Sequence, residues 1–324
     1  VATEPKGGIP LSEHCTWRIG GSADAAFFPE TVGELSECVT SLNERSQPFT
    51  LIGRASNILF STEGVDETLI FTTGLESLGL PDEIPQAREL FKSVLDSADT
   101  TRRAVYCEAG VANSKLIAFS LEHSLGDVTA LTGVPGTFGG AIAMNAESVL
   151  NVMGEHMWFA EVERSGGGIR IRPALDFTFG YRHSSVQQTV LAAILLHMQP
   201  ADGAKMREFI TNRRAARLRG QPLDWPSAGC VFKNPEGDSA GALLDQAGMK
   251  GRSIGGAEYS HKHANFIINT GGAASSDVLE LMMLGKRAVW ERFRVCLTPE
   301  IKFIGRFDLA LLEYIHREDL EAQP

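Results

Sequence analysis

The sequence predicts an α+β protein with two N-terminal lobes and a C-terminal α+β domain, on three observations. Residues 32–73 read as helix, strand, loop and strand, a βαβ-like start. Residues 158–172 carry a hairpin signal, two strand-like runs joined by Gly166-Gly167-Gly168. Pro200-Ala201-Asp202-Gly203 then breaks the pattern, and helices with short strands follow. The implied boundaries are 1–73 and 74–203 for the two lobes, 204–305 for the C-terminal domain and 306–324 for a terminal helix and tail.

Each element has a local reason. Val32, Leu35, Val39 and Leu42 recur at helical spacing over 32–45, and Pro48–Gly53 is an apolar run short enough for a buried strand. Leu69–Thr73 reads as the next strand. Residues 80–103 are charged, hold Pro81 and Pro85, and show a helical patch at Ala87–Leu95; they read as a surface insertion without chemistry. Ala104–Glu108 reads as a strand, Ser114–Ser124 as a helix and Val190–Met198 as a fully buried strand. Lys205–Arg219 is a basic helix with Arg213, Arg214, Arg217 and Arg219, either a solvated face or a face toward an anionic ligand. Residues 240–248 and 276–294 read as amphipathic helices, Gly255–Ala257, Phe266–Asn269 and Ile301–Ile304 as strands, and Phe307–Leu320 as a terminal helix.

Composition removes several function classes. The net charge of −10 opposes bulk attraction to nucleic acid or an anionic membrane. No apolar run approaches the ~20 residues of a membrane span. The N-terminus lacks a signal-peptide core; it does not begin with Met, so a processed start stays open. Five scattered cysteines without a C-x-x-C predict reduced thiols in a cytoplasm, with neither a disulfide framework nor a zinc site. A monomer is expected. His261 and His263 form either a metal pair or, by the plainer reading, ordinary solvated or structural side chains.

The most informative stretch is 131–146, Leu-Thr-Gly-Val-Pro-Gly-Thr-Phe-Gly-Gly-Ala-Ile-Ala-Met-Asn-Ala. Gly133, Gly136, Gly139 and Gly140 lack the Cβ that would keep an anion from backbone N–H groups. The small apolar run behind them predicts a buried helix start, whose dipole also favours negative charge. No Gly-Lys-Ser/Thr follows, and no G-x-G-x-x-G occurs, so neither a Walker loop nor a Rossmann fingerprint is present. A phosphate or diphosphate cradle and a plain structural turn both remain open on these residues alone.

Four further segments narrow the choice: Ile52–Leu59, Phe179-Gly180-Tyr181-Arg182-His183-Ser184, Ser227–Pro235 (Ser-Ala-Gly-Cys-Val-Phe-Lys-Asn-Pro) and Leu297–Gly305 (Leu-Thr-Pro-Glu-Ile-Lys-Phe-Ile-Gly). In this order, with the glycine stretch, they closely resemble the UDP-N-acetylenolpyruvoylglucosamine reductase (UDP-N-acetylmuramate dehydrogenase) family from about Thr16 to Gly305. The chain resembles the shorter of the family's two forms, lacking an extra tyrosine-bearing loop. The resemblance implies a two-lobed FAD-binding region of the vanillyl-alcohol-oxidase type followed by an α+β substrate domain. It also implies non-covalent FAD, NADPH as electron donor, and reduction of UDP-N-acetylglucosamine enolpyruvate for peptidoglycan synthesis.

Such a reaction delivers hydride to the methylene carbon of an enolpyruvyl ether and a proton to the neighbouring carbon, with enediolate charge on the carboxylate between the steps. It needs a cation at the carboxylate, a placed acid and a dry site. By resemblance Arg182 binds the carboxylate, for which a planar charged fork suits better than lysine. Glu300 stabilises the intermediate as a neutral hydrogen-bond donor, and Cys230 stands at the proton-donor position. Lys233 and Asn234 face the substrate and its diphosphate, Tyr181 flanks it, and Asn265 is either a nucleotide contact or a structural amide. The cofactor is assigned to Gly53, Arg54, Ala55, Ser56, Asn57 and Ile58, and to Gly133, Val134, Pro135, Gly136, Thr137, Gly139, Gly140 and Ala143. No metal ligand is implied.

Three residues depart from the family pattern. Cys230 replaces the more usual serine; a thiol, ordinarily with a pKa of about 8.5, is a stronger acid than an alcohol. Ala55 stands where glycine is preferred, and costs about 1 kcal/mol if that backbone is left-handed. Glu147 replaces a small or glycine residue. Two other readings stay in view: another FAD-dependent oxidoreductase on the same fold, which would keep the glycine stretch without needing Arg182, Cys230 and Glu300 together, and a non-catalytic UDP-sugar-binding relative, which these departures alone support.

Overall fold

The computed structural model describes residues 4–97, 101–148 and 154–319. By internal contacts the chain separates into two units. The first is built mainly from Ala26–Arg54 and Thr68–Ala215; the second comprises Lys6–Ala25, Ala55–Glu67 and the described part of Ala216–Pro324. The fold is α+β in both.

The first unit centres on a five-stranded antiparallel sheet in the order Leu78–Gly79, Arg103–Glu108, Val190–Met198, Met157–Val162, Ile169–Pro173. Val190–Met198 is buried at every position, which is why it reads as an unbroken apolar run rather than an alternating one. Side chains on the two faces still separate by the period of two. Val105, Cys107, Ile194 and Leu196 pack with Phe138, Leu116 and Phe159 on one face. Tyr106, Ala193 and Leu195 pack on the other with Ala87, Phe91 and Val94.

That second face revises the reading of residues 80–103 as a surface insertion. Pro85–Leu90 and Lys92–Leu95 are short helices, and Ala87 and Phe91 are fully buried. They supply one of the two covers that this sheet requires. Charged neighbours such as Arg88 and Lys92 hid that apolar stripe. Residues 98–100 of the segment lie outside the described residues.

Also in the first unit, the helix Val32–Glu44 begins at Thr31, whose hydroxyl accepts from Glu34 N at 3.1 Å. Its buried stripe of Val32, Leu35, Cys38, Val39 and Leu42 follows helical spacing. Phe49–Ile52 pairs in parallel with the C-terminal part of Val65–Phe71, ending at Ile52 opposite Phe71. This delivers Gly53 to a strand end, where loops carry function on a rigid scaffold.

The second unit packs Trp17, Leu59, Val231, Phe232, Leu244, Tyr259, Ile267, Leu281 and Met282 into one core. Ser253–Ile254, Ala257–Tyr259 and Ile267–Asn269 form an antiparallel sheet, and Lys302–Ile304 pairs in parallel with Ile58–Phe60. The predicted strand Gly255–Ala257 is corrected here. Gly255 and Gly256 form the two-residue turn of a hairpin, with Gly255 at φ 51°, a conformation that glycine takes without strain. The helices are Ala240–Gln246, Ser275–Phe293 and Leu309–His316, the last shorter than the predicted 307–320, whose final residue lies outside the described residues. Lys286, fully buried, donates to the carbonyls of Ile315 (2.7 Å) and Arg317 (2.5 Å) and so anchors the end of that helix. Among the described residues, no helix is long and apolar enough to cross a membrane.

Candidate active site

The glycine stretch and the end of the strand Phe49–Ile52 meet within the first unit. A Cβ on Gly53 would lie 2.6 Å from Thr137 Oγ1, so this approach requires glycine. Thr137 is buried and caps the helix Phe138–Ala143, its Oγ1 accepting from Gly140 N at 3.2 Å. Gly133 and Gly136 have φ of 78° and 103°, the left-handed region that favours glycine. Gly139 packs so closely on the strand end that a Cβ would fall 2.9 Å from Ala109.

Asn113, which the sequence did not single out, orders this loop from behind. Its N–H donates to Gly136 O at 3.1 Å, and its side-chain amide lies 3.3 Å from Val134 O. In a planar trans peptide the N–H points opposite the carbonyl. Holding Gly136 O therefore turns Thr137 N–H away from Asn113. A loop with carbonyls drawn inward and Cβ atoms removed has the donor chemistry of an anion cradle, and a dinucleotide diphosphate fits it. The helix itself spans only Phe138–Ala143, too short for its dipole to add much, so the expectation of a helix-start site reduces to backbone donors. Within the assigned set, Gly133, Pro135 and Gly140 are exposed, Val134 is half-buried, and Ala143 O accepts from Ser184 Oγ (2.9 Å) and Gln187 Nε2 (2.8 Å).

Arg182 sits at the tip of a hairpin. Phe179–Gly180 pairs with His183–Ser184, leaving Tyr181 and Arg182 as a two-residue turn. Arg182 has φ 55°, a left-handed conformation costing a non-glycine residue about 1–2 kcal/mol. Strain of this kind collects where a side chain is needed for chemistry. The guanidinium lies 5.6 Å from the ring centroid of Tyr181, itself 57% exposed.

In the second unit the backbone gathers Cys230, Glu300 and Asn57. Glu300 N donates to Val231 O at 2.9 Å, and Lys233 N to Thr298 O at 2.8 Å. These bonds lock 230–234 alongside 298–300 and put Cys230 one residue from Glu300's backbone partner. Cys230 is half-buried, follows Gly229 at φ 80°, and bridges Phe266 on its other side. Asn57 Nδ2 donates to Glu300 O at 3.1 Å, and Asn57 O accepts from Lys302 N at 3.0 Å. Asn57 was assigned to the cofactor; its amide holds the peptide of the catalytic candidate. Ser56 and Ile58 are half-buried, Arg54 is exposed, and Ala55 is buried with φ 46°. The condition under which alanine is costly at position 55, a left-handed backbone, is therefore met.

Asn265 resolves to its structural alternative. It is 1% exposed, its Oδ1 accepts from Phe232 N at 3.0 Å, and its Nδ2 donates to Phe232 O at 2.8 Å. These two bonds, with its burial, favour the structural-amide alternative for Asn265, in which it supports the Cys230 segment. Asn234 Oδ1 accepts from Ala240 N at 3.1 Å, at the start of the helix Ala240–Gln246, while Lys233 is half-buried. His263 Nδ1 accepts from Asn265 N at 3.2 Å, and burial, with the charge of Lys250, lowers its pKa. His261 is exposed, so the two histidines serve different surroundings.

In the basic helix, which spans Gly203–Gly220, Arg213 pairs with Glu147 at 2.7 Å, while Arg214 and Arg219 are exposed. Glu147 has φ 54°, which explains why glycine suits that position. Asn145, another residue the sequence did not single out, has φ 45° and donates through Nδ2 to Gly180 O at 3.0 Å. Asparagine tolerates the left-handed region better than most residues, which was the one available signal.

Comparison with known proteins gives the same picture over the chain's length. Residues 221–304 match the model of the UDP-N-acetylenolpyruvoylglucosamine reductase C-terminal domain. The reductase of Chloroherpeton thalassium is 36% identical over 304 residues, 91% of each chain. That of Moorella thermoacetica is 34% identical over 297 residues, 91% of this chain and 92% of its own. The crystal structure of the Thermus caldophilus enzyme superposes with a TM-score of 0.71 at 27% identity, covering 93% of this chain and 99% of that one. On identity sustained across nearly its whole length, the chain belongs to the UDP-N-acetylenolpyruvoylglucosamine reductase family.

Proposed function

We propose that this chain is an NADPH-dependent flavoprotein that reduces UDP-N-acetylglucosamine enolpyruvate to UDP-N-acetylmuramate. The observation that supports the reading is the backbone bond from Glu300 N to Val231 O, which joins Glu300 to the residue after Cys230 although the two are remote in sequence. The glycine cradle closed by Gly53 and Thr137 supports FAD, held without a covalent bond through its diphosphate. When bound, the flavin supplies hydride from N5 to the substrate's methylene carbon and is recharged by NADPH.

The protein's own groups do the rest. Arg182 holds the substrate carboxylate in a two-point fork and stabilises the negative charge that grows there. Cys230 transfers its thiol proton to the carbon beside the carboxylate, completing the lactyl ether; a well-placed acid contributes about 10²–10⁴-fold. Glu300 acts as a neutral hydrogen-bond donor to the enediolate, since an anion there would oppose it. Lys233 offers a point charge to the diphosphate, with Asn234 and Tyr181 beside the sugar nucleotide. The reading places the protein in the cytoplasm and treats it as a monomer.

The test is anaerobic. Purified protein should be yellow, bleach with NADPH, and regain colour when the enolpyruvyl substrate is added. Bleaching without recovery of colour overturns the proposal.

A further inference from the structure

Arg182 occupies a backbone conformation it would not choose, at the tip of a hairpin with only two turn residues. Something must hold that turn. Both of its strands are tied to the C-terminal end of the helix Phe138–Ala143. On the incoming strand, Gly180 O accepts from Asn145 Nδ2 at 3.0 Å. On the outgoing strand, the buried Ser184 hydroxyl lies 3.0 Å from Ile142 O and 2.9 Å from Ala143 O. Gln187 Nε2 adds a bond to Ala143 O at 2.8 Å. The carbonyls of a helix's last turn have no partner within the helix, and at Ala143 O these side chains supply one; Ile142 O also accepts from Asn145 N at 3.0 Å.

We infer that Asn145, with Ser184, is a positioning residue for Arg182: together they clamp the hairpin so that the guanidinium is presented in one place. The inference rests on the carboxylate-binding role proposed for Arg182. The Asn145 amide is almost wholly buried and spends its N–H on Gly180 O, the carbonyl immediately before Tyr181-Arg182. With that carbonyl held, the peptide plane leading into the turn cannot rotate. With Ser184 held, the plane leaving it cannot compensate. A left-handed residue persists only when its surroundings over-determine it, and here two hydrogen-bonded anchors, one on each strand, do so. Release of either anchor lets Arg182 relax to negative φ and carries its fork away from the carboxylate.

The test uses Asn145→Gly in the flavin-loaded full chain. Glycine accepts the φ of 45° at that position without strain, so only the amide is lost. Ser184→Ala removes the other anchor independently. Three quantities are read: the rate of bleaching by NADPH, the rate of reoxidation by the enolpyruvyl substrate, and the substrate's dissociation constant for the oxidised protein by calorimetry. We expect unchanged bleaching, reoxidation slowed about tenfold and weaker substrate binding in each variant, because small misplacements of an aligning group are costly. In an Arg182→Ala background, Asn145→Gly should add less than about twofold, since two residues acting through one contact are not additive. A purely structural role would instead lower both half-reactions, or add in full to Arg182→Ala. Either result, or reoxidation at the parent rate in both Asn145→Gly and Ser184→Ala, overturns the clamp. If Arg182→Ala is slow while those two variants are normal, only the clamp fails. If Arg182→Ala itself reoxidises at the parent rate, the role of Arg182 falls, and the clamp with it.

Discussion

Asn265 grips the peptide of Phe232 from both sides, accepting from its N–H at 3.0 Å and donating to its carbonyl at 2.8 Å. Through Val231, whose N–H donates to Asn265 O at 2.9 Å, the same residue pairs with the segment that carries Cys230. Asn265→Ala leaves buried backbone groups without partners, at about 1–3 kcal/mol. We expect a fall of that size in urea-denaturation stability, with Asn265→Asp no more stable near neutral pH because its buried carboxylate would face the Phe232 carbonyl. Equal stability of Asn265→Ala and the parent would show that the grip carries no energy.

Ala55 is buried at φ 46°. Ala55→Gly relieves about 1–2 kcal/mol of left-handed strain, and the freer unfolded chain takes back about 0.4–1 kcal/mol. The net gain should be about 0.5 kcal/mol, with flavin retained at least as well through gel filtration. Ala55→Val, β-branched at the same φ, should lose flavin. If Ala55→Gly sheds its flavin, the alanine has a packing role that its backbone conformation does not reveal.

Cys230→Ser should keep turnover, because a hydroxyl at the same place can still donate. Cys230→Ala should bleach normally with NADPH but stall with the substrate, losing about 10²–10⁴-fold in reoxidation. Stopped-flow absorbance separates the two steps. Rapid reoxidation in the alanine variant would remove Cys230 from the mechanism.

His263 makes stability depend on pH. Burial first, and then the Lys250 charge, depress its pKa in the folded protein, while the unfolded chain takes its proton near about 6.5. As pH falls through that value, the unfolded state binds a proton that the native state resists, so stability is lost between the unfolded pKa and the lower native one. Above it the contribution vanishes. Urea midpoints at about pH 7.5 and 5.5 should therefore differ less in His263→Gln than in the parent. Parallel behaviour of the two proteins would exclude His263 as the source.

The elements that read clearly from sequence are those with one strong local cause. Val190–Met198 is apolar because both of its faces are covered, and the boundaries seen match those expected. The glycine stretch was visible because close approach at Gly53 and positive φ at Gly133 and Gly136 favour glycine. What stayed hidden were polar side chains that act on remote backbone. Asn113 and Asn145 each look like a loop or cap residue in sequence, and their side-chain amides reach Val134 and Gly180. Tertiary geometry chooses those partners, and no spacing rule encodes them. Phe91 was obscured for a different reason: its helices are short, and charged residues on the opposite side mask the apolar stripe.

The strand Lys302–Ile304 pairs with Ile58–Phe60, and Lys302 N completes its bond to Asn57 O. During synthesis the early loop carrying Ser56 and Asn57 therefore waits, unfinished, until Lys302 has left the ribosome. Chains fold domain by domain from the N-terminus, and contacts this distant in sequence form last. A nascent chain halted before Lys302 would carry every glycine of the 131–146 stretch, yet leave Asn57 without the strand that sets it. Emergence of Lys302–Ile304 is thus the step that completes the backbone around Asn57.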